Sequence, residues 1–121
     1  TTEEALDLVD RAAAANPLSS RPYLVGGIIL VRIDDLPRAR AEFEKAMARQ
    51  PRSFYAALEL GAIASEFGQK RAALAWLERA RRASPKDPVV LYALDRVRHG
   101  QRVTPSDIND RIVKRTRGLV R

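Results

Sequence analysis

Apolar residues recur at helical spacing along almost the whole chain. Over residues 3–15, Ala5, Leu8, Val9 and Ala12 form one stripe, and Glu3, Glu4 and Asp7 suit the positive N-terminal end of a helix. Asn16-Pro17 stops it. A second helix is predicted over 20–33, opened by Ser19 or Ser20 with Pro22 in its first turn. Gly26-Gly27 in its middle costs on the order of 1 kcal/mol per glycine relative to alanine, for which a close helix–helix contact would compensate. Asp34 or Asp35 caps a third helix that runs to Arg49 and presents Ala39, Phe43, Ala46 and Met47. A fourth helix spans 54–67 and ends at Gly68, and a fifth spans 70–83 with Ala73, Leu74, Leu77 and Ala80 on one face. The sixth, 88–99, presents Val90, Leu91, Leu94 and Val97 and ends at Gly100. Thr104-Pro105-Ser106-Asp107 then reads as an N-cap with a capping-box-like acid, opening a last helix to about Arg117 with Ile108 and Ile112 as a narrow stripe.

These elements share one period. Pro85, Pro51 and Pro17 stand 34 residues apart, as do Ala80, Ala46 and Ala12, and Ala73, Ala39 and Ala5. The same step links Leu77 to Phe43 and Val9, and Gly61 to Gly27. Each recurrence has a physical reason. The glycine in the first helix and the small residue opening the second let two antiparallel helices approach closely. The large apolar residue fills the space between them, the next alanine admits the following repeat, and the proline ends the second helix.

With Leu60-Gly61, Gly68, Ala73, Leu77, Ala80 and Pro85 at these spacings, Phe54 to Asp87 resembles one complete repeat of the tetratricopeptide family. The resemblance extends over nearly the whole chain. No tryptophan opens any repeat, and the tyrosine usual in the first helix is replaced by Leu30, Ala64 and Arg98. It implies an all-α, tetratricopeptide-like α-solenoid of about seven antiparallel helices in a right-handed superhelix. The single domain, 1–121, would divide into the second helix of a truncated repeat (1–17), two full repeats (20–53 and 54–87) and a degenerate capping repeat (88–121). In that last unit Asp107, Arg111 and Lys114 stand where alanine, a large apolar residue and alanine belong, as suits a terminal helix whose outer face meets water.

The resemblance also implies a non-catalytic scaffold that binds a peptide or helix in a concave groove lined by the first helices. By the repeat frame the groove positions are Arg21, Leu24, Val25, Ile28, Val31 and Arg32 in the first full repeat. They are Tyr55, Leu58, Glu59, Ala62, Ser65 and Glu66 in the next, and Val89, Tyr92, Ala93, Arg96 and His99 in the last. This mostly apolar floor favours an apolar peptide or helix as partner. Some family members clamp a C-terminal carboxylate with basic and amide side chains. Leu24, Ile28, Glu59, Val89 and Ala93 occupy the matching positions here, so chaperone-tail recognition of that kind is not expected.

The chemistry of the remaining residues adds little. With no cysteine there is neither a disulfide framework nor a thiolate metal site, and no metal-ligand spacing or phosphate-binding glycine loop appears. No catalytic residue, cofactor or metal is therefore expected, and the chain is not read as an enzyme. His99, the single histidine, reads as a surface imidazole near a helix end, and Asp34-Asp35 as helix capping. Trp76 reads as packing on a second helix beside Leu77.

Charge introduces one alternative. Residues 1–50 carry seven basic and eight acidic side chains, and residues 51–121 carry fifteen and seven. Arg111, Lys114, Arg115 and Arg117 form a basic tail that would suit an anionic membrane surface or nucleic acid. The tail lacks stacking aromatics, which weighs against nucleic acid. The longest apolar run, Tyr23 to Val31, is too short to span a bilayer. The chain opens on Thr1 in mid-repeat, which reads as a cut from a longer protein and leaves an N-terminal face for self-association. Bacterial multi-pass membrane proteins similar to O-antigen ligases and polymerases carry tetratricopeptide-like tails. That resemblance would make the chain a recruiting tail, cytoplasmic or the soluble part of a membrane protein.

Overall fold

A computed structural model describes the backbone of residues 1–120 and the side chains of residues 1–117. It contains helices α1 (Thr2–Ala15), α2 (Arg21–Arg32), α3 (Leu36–Arg49), α4 (Phe54–Glu66), α5 (Lys70–Ala83), α6 (Pro88–Arg98) and α7 (Pro105–Val120). Successive helices pack on one another in chain order. The second helices α1, α3 and α5 alternate with the first helices α2, α4 and α6, as the 34-residue frame predicts. The core runs along this seam: Phe43, Leu58, Leu60, Ile63, Leu77, Val90 and Leu94 are all fully buried or nearly so.

The repeated glycines mark where the hairpins close. A Cβ added at Gly27 would lie 2.5 Å from the Phe43 ring, and one at Gly61 would lie 2.7 Å from Leu77. The large side chain of the second helix therefore occupies the volume that the first helix leaves empty, at the same register in both hairpins. This close contact compensates for the poor helix propensity of the glycines.

The three first helices end alike. The N–H of Asp35 donates to the Leu30 carbonyl, that of Gln69 to Ala64, and that of Gln101 to Arg96, at 2.8, 2.9 and 2.9 Å. This six-to-one bond needs a left-handed residue just before the donor. Gly68 and Gly100 supply it with φ of 75°, and Asp34 takes the same conformation at φ 60°. Asp35, not Asp34, caps α3, accepting from the Arg38 N–H. Arg49 ties α1 to the hairpin that follows: its Nη1 donates to the carbonyls of Ala13, Asn16 and Ser19, at the negative end of α1.

The last pair departs from this scheme. In the first two hairpins the second helix starts two residues after the left-handed residue, at Leu36 and Lys70. After Gly100 the chain instead runs non-helically through 101–104, and α7 begins at Pro105. Val103 in this segment is buried, and its N–H donates to the Ser65 Oγ at 3.0 Å. The chain is thereby led to the C-terminal end of α4. From there α7 crosses the concave side, packing on α4 as well as α6 and reaching α2. The last helix of the degenerate capping unit expected over 88–121 thus lies in the groove. The cause is local. Asp107, Arg111 and Lys114 cannot fill the positions that Ala73, Leu77 and Ala80 bury in α5, so α7 turns Ile108 inward instead.

Candidate partner-binding site

The concave surface is built from α2, α4 and α6, and α7 divides it. The floor under α7 comes from the middle of α4, where Ala56 to Ser65 is buried without interruption. An unbroken buried run is what a helix shows when neighbours cover it on all sides. Leu58, Glu59 and Ala62 have no exposed surface, and Val89 and Ala93 of α6 are also buried. These predicted groove residues line a floor that is not open to a partner while α7 is in place.

Polar contacts fix the register of α7. The Tyr55 hydroxyl donates to the Asn109 Oδ1 at 2.7 Å, and the Asn109 Nδ2 donates to the Glu59 Oε2 at 3.4 Å and to the Pro105 carbonyl at 2.9 Å. The Tyr92 hydroxyl donates to Asp107 at 3.0 Å, and the Arg111 guanidinium lies 3.5 Å from the Tyr92 ring centroid. Arg115 reaches Asp87 at 2.8 Å, the same carboxylate whose other oxygen caps α6 through the N–H groups of Val89 and Val90. Arg96 donates to the Arg102 carbonyl and so pins the segment that leads into α7.

Glu59 is the anomalous member. The frame placed it among the groove residues, at a position where some family members clamp a carboxylate. Burial instead pushes its pKa up to about 8, opposed by the hydrogen bond from Asn109, so it is a neutral acid at pH 7. Its Oε1 has no hydrogen-bond partner. The same burial, with Glu59 beside it, raises the Tyr55 phenol.

Two clefts remain beside α7. Toward α2, Ile28, Val31, Arg32 and Tyr55 face Ser106, Asn109, Ile112 and Val113 across a cleft of about 410 Å³. Toward α6, Val89 and Tyr92 face Arg111, Lys114 and Arg115 across about 280 Å³. Arg21 and Val25 do not join either. They lie with Leu8, Val9 and Ile29 on the open edge between α1 and α2, where Leu8 is 63% and Val25 45% exposed. Leu24 packs half-buried against the core, and Glu66 is half-buried, its carboxyl raised by burial and then by Asp34.

The basic tail is largely paired. Arg111 meets Asp107, Lys114 meets Asp110, and Arg115 meets Asp87, while Arg117 is exposed. The remaining candidates behave as ordinary surface and packing residues. His99 is exposed with Nδ1 2.7 Å from the Asp95 carbonyl oxygen, and Trp76 packs half-buried on the core under Arg79. Among the described residues no cluster of His, Asp or Glu is arranged to hold a metal, and no helix is long and apolar enough to cross a membrane. Sequence reasoning missed Val103, Ile108, Asn109, Ile112 and Val113 as groove residues. Their one signal was Gly100, which falls two residues before the position that Gly68 predicts for it.

No curated protein matches the chain at a significant level. The sequence model described as tetratricopeptide repeat matches residues 30–97, which is more than half of the chain and covers α3 and the complete α4–α5 hairpin. With seven helices, the 34-residue frame and the glycine-closed hairpins, the chain belongs to the tetratricopeptide repeat family, whose members generally serve as non-catalytic scaffolds for protein partners.

Proposed function

We propose that the chain is a protein–protein interaction scaffold that seats an apolar segment of its partner, as a helix or extended peptide, in the cleft between α2 and α7. The observation that supports this reading is the cleft itself. Ile28, Val31, Ile112 and Val113 line it, Tyr55 closes its floor, and Arg32 sets one cation at the rim for an acidic neighbour of the apolar anchor. Val113 is 46% exposed there, large for an aliphatic side chain of a half-buried helix.

A crosslinking capture from the source organism's lysate tests it, with wild type beside a Val31→Glu, Val113→Glu variant and a variant neutralised at Lys114 and Arg117. The expected outcome is a protein retained by wild type and by the neutralised tail, and lost with the two cleft glutamates. Loss only with the neutralised tail, with lipid or nucleic acid in the eluate, would instead favour the electrostatic reading. The pairing of Arg111, Lys114 and Arg115 with acids of the same chain already weighs against that reading.

A further inference from the structure

We propose that α7 is the groove's own detachable ligand. The partner that replaces it would be a helix with two aliphatic side chains four residues apart, an amide beside the first, and a hydrogen-bond acceptor for the Glu59 carboxyl proton. The inference rests on the scaffold reading and gives it a different mode of occupancy, in which the partner takes the place of α7 instead of entering the cleft beside it.

Three observations support it. First, α7 is attached as a ligand is attached rather than as a repeat helix is. α5 buries Ala73, Leu77 and Ala80 along its length against its hairpin partner, whereas full burial in α7 is confined to Pro105 and Ile108 near its start, with Ile112 half-buried. The rest of its attachment is side-chain hydrogen bonding through Asp107, Asn109 and Arg115, which a helix from another chain can reproduce. Second, the floor beneath it belongs to the central hairpins. Leu58 and Ala62 are continuous with their core, so departure of α7 would expose an apolar groove. The non-helical segment 101–104 and the left-handed Gly100 give the chain a place to turn. Third, α7 leaves its site unfinished. Asn109 donates to the Glu59 Oε2, and the fully buried Oε1, which carries the proton of the neutral carboxyl, meets no acceptor. A buried hydroxyl without a partner costs the docked state. A helix that brings an acceptor, such as a glutamine carbonyl or a serine hydroxyl, removes that cost and competes favourably with α7.

The probe is a fluorescent synthetic peptide with this chain's residues 103–117, titrated into the full-length protein. Wild type should bind it weakly, because the groove is already occupied. Ile108→Glu in the full-length chain should release its own α7 and bind the peptide at least about tenfold more tightly, as expected for a groove closed in roughly nine molecules out of ten. A peptide carrying Ile108→Glu should bind neither. Hydrogen exchange on the same variant should speed up over 105–117 and stay slow over α4. Arg115→Ala, which removes an outer latch without touching the floor, should give an intermediate affinity. Equal peptide affinity for wild type and the released chain would overturn the proposal. So would loss of α4 protection in Ile108→Glu, because α7 would then be part of the core. A swapped dimer that takes up no peptide would assign the groove to a second copy of the chain instead. The two readings fail separately. Insensitivity of lysate capture to Val31→Glu, Val113→Glu sinks the cleft, whereas peptide binding by the released chain is read without any partner.

Discussion

The central hairpins and the last helix pair start from the same 34-residue frame and end in different places. In α2–α3 and α4–α5 the second helix turns back at once and presents Phe43 or Leu77 to a glycine. In α6–α7 the turn is delayed, the frame offers Arg111 at the matching position, and no glycine lies opposite. The contrast shows what directs a repeat helix to the outer layer. Helical periodicity alone does not suffice, since α7 is amphipathic too. The determinant is the pairing of a large apolar side chain with a facing glycine, together with a turn too short to reach anywhere else.

The largest effects should follow that pairing. Leu77→Ala removes a fully buried side chain and leaves a cavity against Gly61, and should cost about 2–5 kcal/mol in urea unfolding. Arg111→Ala, at the same frame position one unit later, removes a half-exposed ion pair and a contact with Tyr92, and should cost less than about 1 kcal/mol. Equal costs would mean that α7 is built into the domain as α5 is, and would remove the distinction between the two regions.

The difference also explains what was legible in the sequence. Hairpins specified by local pairs could be read residue by residue. The expected spans 54–67 and 70–83 stand against observed helices at Phe54–Glu66 and Lys70–Ala83. The start of α7 was legible as well, because Thr104 caps it through the Asp107 N–H. Its destination was not. That depends on Val103 meeting Ser65, Asn109 meeting Tyr55 and Ile108 meeting the floor, contacts between residues far apart in the chain that no spacing rule encodes. Hence the groove positions Ile28, Val31 and Arg32 were placed where a cleft remains. Leu58, Glu59 and Ala62, expected in the same groove, are instead fully buried, which no spacing rule could show.

Glu59 sharpens the comparison through pH. The frame matches it with Val25, which is exposed, so its burial reflects the covering of this one repeat. Its folded pKa of about 8 lies above the ordinary carboxyl value of 4.5. The sign follows directly: below pH 4.5 both states hold the proton and the group has no effect. Between 4.5 and about 8 the folded state holds it and the unfolded state does not, so stability falls as pH rises, by at most about 1.4 kcal/mol per pH unit. Above about 8 the loss is complete and the dependence levels off. Of its neighbours, Tyr55 stays neutral across this window and Asn109 does not titrate. Half-buried Glu42 and Glu66 add slopes of the same sign, so the difference between wild type and Glu59→Gln isolates Glu59. Urea melts from pH 5 to 8 should show a shallower decline in Glu59→Gln. Parallel curves would mean that water reaches the carboxyl and that α7 does not seal the floor.

The smallest expected effect tests the feature that all three first helices share. Asp34 occupies the left-handed position that glycine fills at 68 and 100, and an L side chain pays for that conformation where glycine does not. Asp34 also lies close enough to the half-buried Glu66 to raise its pKa by charge repulsion. Asp34→Gly removes both penalties while leaving the six-to-one bond from Asp35 to Leu30 in place. It should stabilise the domain by about 0.5–1 kcal/mol, less what the added glycine contributes to the entropy of the unfolded chain. Gly100→Ala is the mirror experiment. A Cβ there meets nothing within 4 Å, so only the backbone conformation opposes it, and it should cost about 1 kcal/mol. If Gly100→Ala also speeds hydrogen exchange over 105–117 while Asp34→Gly leaves α3 unchanged, the same turn serves two purposes. It closes a hairpin when a second helix follows immediately, and it sets the direction of a helix bound for the groove when an extended segment comes between.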